Sequence, residues 1–196
     1  MRAARGSGRA AGGSVAGKRT VSAFGGFLSA AAGKGLNAAF ATIGLTGFAG
    51  RDVNEVLAAI GNAIAPDGAT KEEVAARQAL NDTLEHLYER FLDEGRDLTA
   101  LEAMAPTDVT SAMAFYLEAY IYNRWLGDLG VKIEERAVSP SEAVSLEREM
   151  RQFIHETVTL DMRAVNPLTL DWRGQAGQQF IDNIYRDAYS LFGGEP

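Results

Sequence analysis

Cysteine is missing from all 196 residues. That excludes disulfides, thiolate metal sites and a cysteine nucleophile, and it fits a reducing compartment. Histidine is scarce, with His86 and His155 the only two. Residues 1–50 contain no Asp or Glu. Long apolar runs are lacking too. Between Thr20 and Gly50 Ala and Gly dominate and Lys34 interrupts, whereas a spanning helix needs about 20 strongly apolar residues. No membrane segment is expected, and no stretch alternates well enough to argue for a sheet.

Cations occupy the acid-free lead: Arg2, Arg5, Arg9, Lys18, Arg19 and Lys34. Residues 51–196 carry all 26 acids against 13 Lys and Arg. A basic arm on an acidic body is the pattern of an interaction segment attached to a folded domain. The net charge of −7 argues against a body that coats nucleic acid or anionic lipid, because neutralising phosphates takes clustered cations. Residues 1–20, rich in Gly, Ala, Ser and Arg, read as a flexible, disordered arm. An Arg-rich, acid-free lead also resembles a transit peptide, but its glycine content and weak periodicity favour a tail. Residues 21–194 read as one α-helical domain, long enough to bury a core.

The punctuation predicts an all-α bundle of about six helices. Val21, Phe24, Phe27, Leu28 and Ala31 open an apolar helical pattern that continues through Leu36, Phe40 and Ile43, with Gly33 and Gly35 expected to break or kink it. This Ala/Gly-rich helix looks too apolar to stand alone, which makes self-association through it an expectation. Asp52 with Glu55 and Thr70 with Glu73 form capping-box pairs, each ahead of an apolar stripe. Gly95 suits the position after a helix end. A short helical piece is expected over Thr99–Met104, and a longer helix from Thr107 or Asp108 to Gly127 or Gly130. Val131–Val138 reads as a loop. Ser139-Pro140-Ser141-Glu142 is the strongest helix start, combining an N-cap, Pro at the first turn and the box partner. Asn166-Pro167 should stop that helix, and Gln175–Phe192 should form the last one.

No residue pattern carries catalysis. His155-Glu156 lacks the second histidine of a zinc protease, since Thr159 stands in its place. Thr83 and Gln152 stand where a di-iron bundle needs glutamates before His86 and His155. Gly33-Lys34-Gly35 lacks the Ser or Thr and the preceding strand of a phosphate loop. No catalytic, metal or cofactor-binding residue is assigned. Tyr116 and Tyr120 share a face and read as core, whereas Tyr122 and Trp125 sit partly off it and are the candidate partner surface. The candidate interaction arm is Arg2, Arg5, Arg9, Lys18, Arg19 and Lys34.

The order of segments resembles a known family. After the basic lead come LNAAFATIGLTGFAGRDVNEVLAAIGNAIAPDGATKEEVAARQAL over residues 36–80, a Tyr-x-x-Asn-Arg at Tyr120–Arg124, and IDNIYRDAYSLF near the C-terminus. These resemble the QatB family, the component of the four-gene Qat anti-phage defence system without a recognisable enzyme motif. The likeness covers roughly residues 20–194 and is one of pattern and order. It implies a bacterial, cytoplasmic, non-enzymatic adaptor working beside an ATPase, a QueC-like enzyme and a TatD-like nuclease. It also implies that a QueC-like partner modifies the family's N-terminal tail. Family members usually start Met-Gly with a long Gly/Ser/Pro-rich tail. This chain starts Met1-Arg2, so the resemblance suggests a shortened form with Arg2–Lys18 as the tail's remnant, and no acceptor residue is carried over. The alternative reading is a nucleic-acid-binding or sensing module that uses the basic arm nonspecifically on phosphates.

Overall fold

A computed structural model describes residues 15–48, 51–65, 67–93, 95, 97–136 and 139–189. Side chains at 92, 128–136, 188 and 189 lie outside that description. Seven α-helices and one 3-10 helix are described, without a strand among the described residues. They are α1 (Val15–Lys34), α2 (Leu36–Thr42), α3 (Val53–Ile64), α4 (Lys71–Asp93), the 3-10 turn (Leu98–Ala103), α5 (Pro106–Arg136), α6 (Pro140–Met162) and α7 (Gln175–Tyr189). The all-α class agrees with the sequence; the helix count exceeds the expected six because Gly35 divides the first pattern in two. Its φ of 85° lies in the left-handed region that glycine tolerates.

Helix α1 is the central element. Val21, Phe24, Phe27, Leu28 and Ala31 are fully buried, and the helix packs on α2, α3, α4, α5, α7 and the 3-10 turn. Its small residues admit aromatic rings. A Cβ on Gly17 would lie 2.3 Å from the Tyr120 ring, and one on Gly25 would lie 2.5 Å from the Trp172 indole. The helix expected to pair with a second copy therefore spends its apolar surface inside its own chain. Burying it removes several large side chains from water, each worth about 1.5–3 kcal/mol.

Three boundaries differ from the sequence reading. Helix α1 starts at Val15 rather than Val21, so residues 15–20, expected in the disordered arm, are helical. The cause lies 56 residues away: Glu72 on α4 accepts from the backbone N–H of Ala16 at 2.7 Å. A carboxylate there satisfies orphan donors and meets the positive end of the helix dipole. Helix α5 runs through Gly127 and Gly130 to Arg136, over a segment expected to be a loop. Glycine weakens a helix but keeps its N–H, so the ladder of hydrogen bonds continues. Helix α6 stops at Met162, short of Asn166-Pro167. Asn166 instead starts a turn in which its side chain accepts from Leu168 N–H at 3.0 Å.

The caps are mostly as expected. Ser139 and Glu142 form a complete capping box with Pro140 in the first turn, and Thr70 with Glu73 exchange backbone donors at 3.1 and 3.2 Å. At α3 only half the box forms. Asp52 accepts from Asn54 and Glu55 N–H, while Glu55 turns to Arg51 at 2.5 Å.

Candidate functional site

Two regions gather polar chemistry: the root of the basic arm and a groove over α5. At the root, Glu72 Oε1 accepts from Ala16 N–H at 2.7 Å, Gly17 N–H at 3.4 Å and the Tyr120 hydroxyl at 3.4 Å. One turn along, Lys18 Nζ meets Asp182 of α7 at 2.6 Å. These contacts hold the first described turn of α1 against α4 and α7. Arg2, Arg5 and Arg9 lie outside the described residues. Of the remaining arm cations, Lys18 is committed to Asp182, whereas Arg19 and Lys34 are exposed.

A hollow of about 450 Å³ opens beside this root, with Lys18, Arg19 and Arg173 around it. Arg173 belongs to the link between α6 and α7. Asp171 organises that link as a turn, accepting from Arg173 N–H at 3.2 Å and Gly174 N–H at 3.0 Å. Trp172 is thereby turned into the core, and Arg173 is left to donate to the Thr42 carbonyl at the end of α2 at 3.0 Å.

The groove over α5 lies between α4 and α6. One part, about 550 Å³, is lined by Asp82, Phe115, Tyr122, Asn123 and Arg151, among others. A neighbouring hollow of about 360 Å³ shares Phe115, Glu118 and His155 with it. Both histidines of the chain come together here. His155 Nδ1 stands 3.1 Å from each oxygen of Glu118, and His86 stacks flat on Phe115 with centroids 4.6 Å apart. The Asn123 amide nitrogen is buried without a hydrogen-bond partner among the described residues. Among the described residues no group of three His, Cys, Asp or Glu is placed to hold a metal ion.

Tyr122 and Trp125, the aromatic pair expected at a partner surface, are only 8% and 6% exposed. The Tyr122 hydroxyl donates to Glu147 of α6 at 2.5 Å, and the Arg151 guanidinium lies 3.7 Å from its ring centroid. Burial, then the Glu147 hydrogen bond, pushes the Tyr122 pKa up, while Tyr122 and Arg151 together hold Glu147 below the usual carboxylate range. Tyr122 thus locks α5 to α6, and it also lines the groove. Sequence reasoning missed Glu72, Asn123 and Arg173. Only Asn123 had a local signal, as part of Tyr-x-x-Asn-Arg.

With these surfaces in place, comparison with known proteins settles the family. A family model described as "Qat anti-phage system associated protein QatB" matches residues 6–192. The chain belongs to the QatB family. No curated protein and no solved structure matches it. Membership makes the chain a component associated with an anti-phage defence system, and the resemblance resting on residues 36–80, Tyr120–Arg124 and the C-terminal helix pointed to the right family. No described helix is long and apolar enough to cross a membrane.

Proposed function

We propose that this chain is a non-catalytic adaptor of a bacterial anti-phage complex, a helical body that binds the other Qat components and presents its N-terminal tail to them. The supporting observation is the root of the arm. The Glu72 cap and the Lys18–Asp182 pair hold the start of α1 against the body, which supports a tail presented from that end of the molecule. A tail fixed at one end to a partner-binding body has a raised local concentration at a bound enzyme, of millimolar order for a short flexible link. The partners in this reading are the Qat ATPase and the QueC-like enzyme, with the TatD-like nuclease as a third. QueC-like chemistry activates a carboxylate with ATP and joins it to an amine, for which a tail amino group is the acceptor. The setting is the bacterial cytoplasm, where those enzymes would work.

The test is co-purification of the full chain with the ATPase and the QueC-like protein, followed by intact mass. A stable complex and a mass increment confined to the N-terminal peptide are expected. A free, unmodified chain that instead retains nucleic acid, released by salt, would replace this reading with the nucleic-acid-binding alternative.

A further inference from the structure

We infer that the hollow at the root of the arm is a docking site for an acidic, apolar-flanked segment of a protein partner. The inference rests on the adaptor reading and adds a place and a chemistry to it. Lys18, Arg19 and Arg173 surround a space of about 450 Å³ that no acid lines among the described residues; Lys18 is paired with Asp182, so Arg19 and Arg173 are the charges it offers. In a body where acids outnumber cations 26 to 13 beyond residue 50, that is a local reversal of sign. Arg19 is exposed and no hydrogen bond or ion pair of its side chain is described; its charge reaches Glu73, and its guanidinium fork keeps donors for a further carboxylate. Arg173 uses one nitrogen on the Thr42 carbonyl and keeps other donors.

The remaining lining explains why a protein segment fits better than a nucleic-acid backbone. Val15, 69% exposed, and Ala23, two turns further along α1, both line the hollow, which gives apolar contact next to the charges. Ser22 donates to the Trp172 carbonyl at 2.6 Å, and Gln178 donates to Ser22 Oγ and to the same carbonyl at 3.2 Å. The polar neutral groups are thus internally satisfied and rigid, leaving cations and aliphatic surface as the unsatisfied chemistry. Among the described residues no aromatic ring lines the hollow for base stacking. The volume lies within the range of about 300–1,000 Å³ typical of ligand pockets.

The probe is a fluorescein-labelled peptide alternating Glu and Leu, titrated by anisotropy against the full chain. Its Gln-for-Glu counterpart and a single-stranded oligonucleotide are run alongside. Binding of the Glu peptide alone is expected, weakening with salt and falling about tenfold in Arg19→Gln/Arg173→Gln, with Lys34→Gln unchanged. Circular dichroism checks that the double variant folds, and Arg19→Gln alone, which touches no described partner, should give an intermediate loss. Failure of the Glu peptide to bind, equal binding by the Gln peptide, or affinity indifferent to both variants would overturn the inference. Oligonucleotide binding lost in the same variants would also overturn it, in favour of phosphate recognition. If the double variant still co-purifies with the Qat partners, the hollow is refuted while the adaptor reading stands.

Discussion

At the scale of single residues, close approach and burial decide most. Gly25 is the place where the Trp172 indole lies on α1, and any Cβ there overlaps the ring. Gly25→Ala should destabilise the protein by about 1–3 kcal/mol, the usual cost of overpacking, read as a lower urea midpoint. Gly33, with open space around its Cβ position, is the control and should lose nothing. Asp161 makes a different kind of prediction. One of its oxygens is buried without a hydrogen-bond partner among the described residues, and burial, then the charge of Asp187, raises its pKa above 3.8. The folded chain therefore holds this proton more tightly than the unfolded chain does. Its contribution to stability is greatest below pH about 3.8 and is lost as pH rises through the folded value. Asp161→Asn should then raise the melting temperature at pH 7, with the gain shrinking as pH is lowered toward 4. An unchanged or lower melting temperature at pH 7 would refute this account. Glu73, Asp97, Glu142 and Glu147 oppose that trend. Their hydrogen bonds, chiefly from Thr70, Thr99, Ser139 and Tyr122, lower their pKa values. Their support is present above the unfolded values and lost on acidification.

At the scale of elements, the division of α1 from α2 is the feature with most consequence. Gly35 takes a φ of 85°, and Glu102 of the 3-10 turn accepts from Leu36 N–H at 2.7 Å, capping α2 from outside. Gly35→Ala should cost roughly 1–2 kcal/mol, since a Cβ is disfavoured in the left-handed region and would also meet Glu102 at 3.2 Å. Thermal unfolding by circular dichroism measures it. Glu72 does for α1 what Glu102 does for α2. Both are glutamates in another element, so no capping-box spacing reveals them. The local boxes at Thr70–Glu73 and Ser139–Glu142 were legible because cap and partner are three residues apart. The passage of α5 through Gly127 and Gly130 was not, because whether a glycine ends a helix or only weakens it depends on what surrounds it.

At the scale of the whole molecule, residues 15–20, expected in the arm, belong to α1. Removing residues 1–14 should leave the helical signal and melting temperature of the body intact. Removing residues 1–20 deletes Ala16, Gly17 and Thr20 from the core together with the Lys18–Asp182 pair, and should lower the melting temperature by several degrees or more. A loss of about 1 kcal/mol corresponds to roughly 2–4 °C in a chain of this size. Equal melting temperatures for the two truncations would show that the first turn of α1 contributes nothing. The same comparison separates the roles of the arm, because the shorter cut keeps Lys18 and Arg19 at the hollow and the longer one takes both.

The sequence by itself determined the helical class, the charge division between lead and body, most helix starts and the family. Each rests on neighbours in the chain: apolar periodicity, a cap and its partner a turn apart, and the order of segments. Only the tertiary structure decided where α1 begins, that Tyr122 and Trp125 face inward, and that His86, His155 and Glu118 share one groove. It also decided that Arg173 joins Lys18 and Arg19. Those facts depend on side chains from 25 to more than 150 positions apart meeting in space, and no local spacing encodes such a meeting.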